Sequence, residues 1–245
     1  MRYDDFRRSD NIDDRRDDGG FGGGGGGFGF PMGGGGGLGI GTIIVLGLIG
    51  WAVGTDPRIL IGGAEILSGG GRAPTYQTDR RSGPAKTGAP TDEMGSMISG
   101  VLGEIDDRWD EIFKASGQTY RGPRIVLFRN ATNGGRCGMA QSAMGPFYCP
   151  PDRQIFLDTG FFREVETRFR GCSGNACKFT AAYIIAHEAG HHIQNLLGIL
   201  SKAQQLQQQA GSRAEANAIQ VRIELQADCL SGVWVNREEK KRPGF

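Results

Sequence analysis

Residues 179–200 read FTAAYIIAHEAGHHIQNLLGIL, and this stretch decides the architecture. Ala181, Ala182, Ile184, Ile185, Ala186, Ile193, Leu196 and Leu197 make it apolar on most sides. The pattern predicts a long helix buried at the centre of a domain. Polar side chains in such a helix need partners. His187 and His191 are four apart, so they lie about 40° from each other around the axis, one turn separated. Two imidazoles so placed bind one metal ion from the same side. Glu188, next to them, reaches a water on that metal without ligating it. The bland alternative is a pair of satisfied core histidines beside an incidental glutamate. The apolar flanks weigh against it, as does Gly190, which allows close approach of a neighbour. His192 stands about 140° round from His187, too far to share the ion, and is expected to pack or hydrogen-bond.

A catalytic zinc has three protein ligands and an open position for water. All three histidines of the chain fall within residues 187–192. The third ligand is therefore expected to be a carboxylate on a helix that crosses the first. Residues 213–237, RAEANAIQVRIELQADCLSGVWVNR, supply one. Ala218, Val221, Leu225, Cys229 and Trp234 are expected to define the buried side of that helix. Glu224 is read as the ligand. Asp228, one turn on, is read as orienting a ligand histidine through its ring N–H. Asp228 and Glu215 are the alternatives for the ligand itself.

Working outward, Met94, Met97, Ile98, Val101, Leu102, Ile105, Trp109, Ile112 and Phe113 recur at three- and four-residue steps. They predict an amphipathic helix capped by Thr91 or Asp92 and ended by Gly117. Arg124 to Phe128 and Gln154 to Asp158 read as buried strands, the second followed by a helix through Phe161, Phe162, Val165 and Phe169. A Gly/Pro-rich insert separates the strands. Long helices with few strands make the class α+β. Cys137 and Cys149 flank the insert, and Cys172 and Cys177 bracket a short loop. Either the four form two disulfides, which would place the domain outside the cytoplasm, or they are reduced thiols. Cys229 is expected to be free. Cys-x-x-Cys spacing is absent, which argues against a cysteine zinc site.

The rest of the 245-residue chain is of another kind. Residues 1–18 alternate Arg and Asp with almost no apolar content, and residues 19–37 are mostly glycine. Residues 1–37 are expected to be a disordered tail. Residues 38–54, LGIGTIIVLGLIGWAVG, carry no charge. At about 1.5 Å per residue they reach roughly 26 Å, enough for a thin bilayer core, and are read as a single membrane anchor. Residues 55–90 read as a tether and residues 91–245 as the domain. Arg15, Arg16 and Arg58 are too sparse to orient the anchor by charge. With 28 basic against 27 acidic residues, no broad basic surface for nucleic acid is expected.

HEAGHHIQNLLGI, ELQADCLSGVW and CGMAQSAMGPFYCPPDRQIFLDTGFF together resemble the bacterial putative neutral zinc metallopeptidases, over roughly residues 94–237. The resemblance implies a membrane-anchored, zincin-like peptidase with His187, His191 and Glu224 as zinc ligands and Glu188 as base. It implies a peptide substrate and a domain outside the cytoplasm, with the Arg/Asp tail inside. The family continues past the point where this chain ends, so the domain is expected to be C-terminally shortened. No spare histidine remains to stabilise a transition state, and Tyr148, Tyr183 and Arg213 are the candidates. The contrasting function is a membrane-tethered scaffold whose zinc is structural or vestigial.

Overall fold

A computed structural model describes residues 3–17, 86–168 and 174–244. In chain order these form strands β1 (Ile12–Asp14) and β2 (Lys86–Thr87), helix α1 (Glu93–Ala115), and strand β3 (Arg124–Phe128). Short strands β4 (Ala131–Asn133), β5 (Met139–Gln141) and β6 (Phe147–Cys149) and strand β7 (Gln154–Asp158) follow. Helices α2 (Thr159–Arg168), α3 (Asn175–Leu196), α4 (Ile199–Gln209) and α5 (Arg213–Lys241) complete the order. The class is α+β, as the sequence implied.

The main sheet runs β2-β1-β3-β7-β6, parallel at β1–β3 and β3–β7 and antiparallel at both edges. Ile125 to Phe128 of β3 and Ile155 to Leu157 of β7 are apolar without alternation because both faces of the sheet are covered. Ile125, Leu127, Ile155 and Leu157 pack with residues of α1 and α3, while Val126, Phe128 and Phe156 pack with Ala140 and Cys149 of the insert. The insert is more ordered than its composition suggests. It holds the β4–β5 ladder and edge strand β6, closed by a Cys137–Cys149 disulfide. Cys177 is also disulfide-bonded, whereas Cys172 lies outside the described residues. Asp92 caps α1, its side chain accepting from the Gly95 N–H.

Residues 3–17 depart from expectation. They are part of the fold. β1 pairs with β3 at Ile12↔Ile125, Asp13↔Val126 and Asp14↔Leu127. Phe6 and Ile12 are buried in the main core. The alternating charges misled because they neutralise one another locally and across the domain. Arg15 holds Asp13, Arg16 holds both Asp14 and Asp92 at 2.6 Å, and Arg7 holds Asp107 at 2.7 Å. Arg16 is the main reason the Asp92 carboxyl is lowered to about 2. Small residues on α1 let this arm lie close. Ser9 and Ser99 exchange bonds, the Ser99 hydroxyl reaching the Ser9 carbonyl at 2.9 Å. A Cβ at Gly103 would collide with the Arg7 carbonyl. Residues 3–17 and 86–90 thus pack into one fold with the described residues after 90.

The buried side of α5 also differs. Ile223, Glu224, Ala227, Ser231, Trp234 and Glu238 face inward, whereas Ala218, Val221, Leu225 and Cys229 are exposed. The packed stripe carries two carboxylates, so an apolar pattern search selected the wrong face. The glycine tract, the apolar run 38–54, the rest of the tether and Phe169 lie outside the described residues. Among the described residues, no helix is long and apolar enough to cross a membrane.

Burying Phe6 and Ile12 stabilises the fold by about 1.5–3 kcal/mol each. Gly103→Val should displace the arm, lower unfolding stability by about 3 kcal/mol, and open the chain to trypsin at Arg7 and Arg8. Unchanged denaturation and proteolysis would show that the arm contributes nothing to the fold.

Candidate metal centre

Helices α3 and α5 cross at the one place where α3 has no side chain between its paired histidines. A Cβ on Gly190 would sit 2.8 Å from the Ala227 carbonyl oxygen and 3.1 Å from its Cα. This contact brings Glu224, one turn before Ala227, against both imidazoles. The Glu224 Oε2 lies 3.3 Å from His187 Nε2 and 3.2 Å from His191 Nε2. The ring centroids are 4.8 Å apart and perpendicular. Asp228 is brought to the same point, its Oδ1 accepting from His187 Nδ1 at 2.8 Å. Glu215, the other alternative, sits at the exposed start of α5, where its backbone N–H takes the Ser212 cap.

The partners of the rings settle which nitrogens are free. Asp228 can only accept when ionised, so in the neutral ring His187 Nδ1 carries the proton and Nε2 presents a lone pair to Glu224. On His191, Nδ1 donates to Gln194 Oε1 at 2.9 Å, which again leaves Nε2 facing Glu224. The Gln194 amide nitrogen donates to the Ile223 carbonyl at 2.7 Å and to Gln226 at 3.0 Å, so its orientation is fixed. Glu224 is held from behind. Gln220 donates to its Oε1 at 2.6 Å, and Gln207 of α4 donates to Gln220 in turn.

Two lone pairs therefore point at one carboxylate oxygen in a buried site. That arrangement needs a cation between them. One proton bridges one nitrogen–oxygen pair only, and two adjacent imidazolium rings repel, whereas one divalent ion serves all three atoms. The distances fit zinc: ligands at 2.0–2.2 Å in a tetrahedron stand about 3.4 Å from one another. His187, His191 and Glu224 form the candidate metal-holding group among the described residues. The two carboxylates draw positive charge to this point. Burial opposes charge on His187, but its bonds to Asp228 and Glu224 prevail and raise it to about 10, so the chain's own groups hold a proton where a metal ion would take its place. Burial pushes the Glu224 carboxyl up, and the two histidines more than reverse this, lowering it.

Glu188 does not join that group. It is buried, and burial raises its carboxyl above the usual range despite the nearby histidines. The Tyr148 backbone N–H, on edge strand β6, donates to it. His192 points the other way, as its angle around α3 required. Its Nε2 donates to the Arg121 carbonyl at 2.7 Å, and its Nδ1 accepts from the Tyr148 hydroxyl at 2.9 Å. Burial lowers it to about 4. Since Asn195 also donates to that hydroxyl, the Tyr148 side chain is committed to this network. Arg213 is exposed at the start of α5. Of the three candidates for stabilising a transition state, only Tyr183 adjoins the site, its hydroxyl 3.5 Å from Asp228 Oδ1. Gln194 and Gln220 escaped sequence reading. The available signal was helical spacing, Gln194 three after His191 and Gln220 four before Glu224.

A model of the family described as "Putative neutral zinc metallopeptidase" matches residues 1–244. A relative from Escherichia coli strain K12, called uncharacterized protein YpfJ, is 39% identical over 237 residues, covering 96% of this chain and 74% of the relative. Uncharacterized protein Mb2605 of Mycobacterium bovis is 46% identical over 125 residues, 51% of this chain and 39% of that one. No solved structure matches the chain.

Gln194→Leu should weaken zinc binding about 10- to 100-fold by freeing the His191 ring, measured by competition with a chelator. Gln194→Glu, which keeps an acceptor for Nδ1, should retain more of the affinity. An unchanged dissociation constant in the leucine variant would show that Gln194 does not orient His191.

Proposed function

The chain belongs to the putative neutral zinc metallopeptidase family, and we propose that it is a zincin-like endopeptidase cleaving peptide bonds at the His187–His191–Glu224 centre. The observation that carries this reading is the convergence of two imidazole lone pairs and one carboxylate oxygen, with a separate buried carboxyl alongside. A structural zinc site has all its positions closed by protein. Here the residues present supply three ligands, and Glu188, a further carboxyl alongside them, bonds to the Tyr148 backbone instead.

Zinc bound by these three side chains supplies Lewis acidity, which acidifies a water and polarises a carbonyl. The protein's own groups do the rest. Asp228 and Gln194 keep both ring protons on Nδ1, so each Nε2 remains a ligand. Glu188, its affinity for a proton raised by burial, takes the proton of the attacking water and passes it to the leaving amine. Tyr148 holds Glu188 in place through the backbone. Strand β6, which carries this N–H, is the edge of the sheet.

The reading extends to location. The Cys137–Cys149 disulfide favours an oxidising compartment outside the cytoplasm. The apolar run 38–54 is the proposed membrane attachment.

Glu188→Gln should bind zinc with a stoichiometry equal to that of the parent chain. Its cleavage of an unfolded protein substrate should fall by at least about 10²- to 10⁴-fold. Undiminished hydrolysis by that variant would remove Glu188 from the role assigned to it.

A further inference from the structure

The arm and the apolar run impose a condition on each other. β1 lies inside the sheet, between β2 and β3. It is tied to β3 by the Ile125 N–H to the Asn11 carbonyl at 2.9 Å and the Arg15 N–H to the Leu127 carbonyl at 2.8 Å. It is tied to β2 by the Gly88 N–H to the Ile12 carbonyl at 3.1 Å. Residues 18–85 therefore leave from one strand and return on its antiparallel neighbour. The two ends of that excursion are anchored side by side.

Paired strands stand about 4.8 Å apart, whereas the hydrocarbon core of a bilayer is about 30 Å thick. One sheet cannot have strands on both sides of it. An excursion that starts and ends on one side crosses an even number of times. Each crossing needs about 17–25 predominantly apolar residues. The uncharged stretch 19–55 holds one predominantly apolar run of that order, residues 38–54, since 14 of the 19 residues 19–37 are glycine; Asp56, Arg58, Glu65, Arg72, Asp79, Arg80 and Arg81 then interrupt the return. Two crossings do not fit, and one is forbidden by the sheet.

We infer that residues 3–17 and the metal-site domain lie on the same side of the membrane, so the run 38–54 does not cross the bilayer as a single span. Any attachment it provides is one-sided. The arrangement with the Arg/Asp arm inside and the domain outside is replaced by one in which arm, disulfide and metal centre share a compartment. The buried Ile12, the Arg16 pair with the α1 cap at Asp92, and the close passage of Arg7 over Gly103 all require the arm to reach the domain surface. This inference is independent of the metal and of proteolytic activity.

The test uses the full chain carrying one epitope before residue 1 and another after residue 245, in sealed inside-out membrane vesicles treated with protease. Both epitopes should share one fate, either both cut or both protected until detergent is added. Recovery of the intact chain in the soluble fraction is also consistent only with no crossing. Cleavage of one epitope with protection of the other would overturn the inference. A glycosylation or thiol-labelling tag at each end gives a second measurement, with the same two outcomes.

Discussion

Everything in the site follows from one electrostatic demand: Glu224 Oε2 faces the Nε2 atoms of two imidazoles whose Nδ1 atoms are taken up by Asp228 and Gln194. Three electron-rich atoms meeting in a buried place are stable only around a positive charge. The surrounding residues sustain that demand. Asp228 and Gln194 fix the tautomers, and Gln220 engages the second oxygen of Glu224, so the arrangement cannot relax by rotating a ring or a carboxylate.

The fold exists, from this viewpoint, to bring two helices together at one glycine. The apolar strands β3 and β7 form a floor covered on both faces. Helices α1 and α3 pack on one side of it, and α5 crosses α3 where Gly190 meets Ala227. Edge strand β6 sets Glu188 through a backbone bond, so the sheet and the helix pair both contribute to the centre. The histidine outside the candidate group, His192, fastens α3 to β6 and to the segment before β3 through Tyr148 and Arg121. The cluster of three histidines thus divides its labour by angle around the helix.

How much of this could be read in advance depended on whether the signal was local. The His187–His191 spacing, the angle of His192, and both apolar strands were legible, since one helix turn or one run of residues contains each. The placement of Glu224 and Asp228 beside the histidines was legible because a third candidate ligand had to be sought among few acidic residues. The inward face of α5 was not, because that helix buries Glu224 and Glu238 and exposes Val221 and Leu225. Polarity there follows partners, which a hydropathy pattern cannot see. The arm was misjudged for the same reason. Its charges are matched by Asp92 and Asp107 far along the chain, and its two buried apolar residues are too few to register as a core segment. Gln194 and Gln220 were missed because a glutamine has no charge or metal affinity to draw notice, only a position one turn from a residue that does.

The most direct measurement is the X-ray absorption spectrum at the zinc edge of the purified full chain. The account predicts one zinc with nitrogen and oxygen neighbours at about 2.0–2.2 Å, two of them imidazoles, and no sulfur, with the imidazole signature reduced in His187→Ala. A chain that takes up no zinc, or a zinc with sulfur neighbours near 2.3 Å, would contradict it.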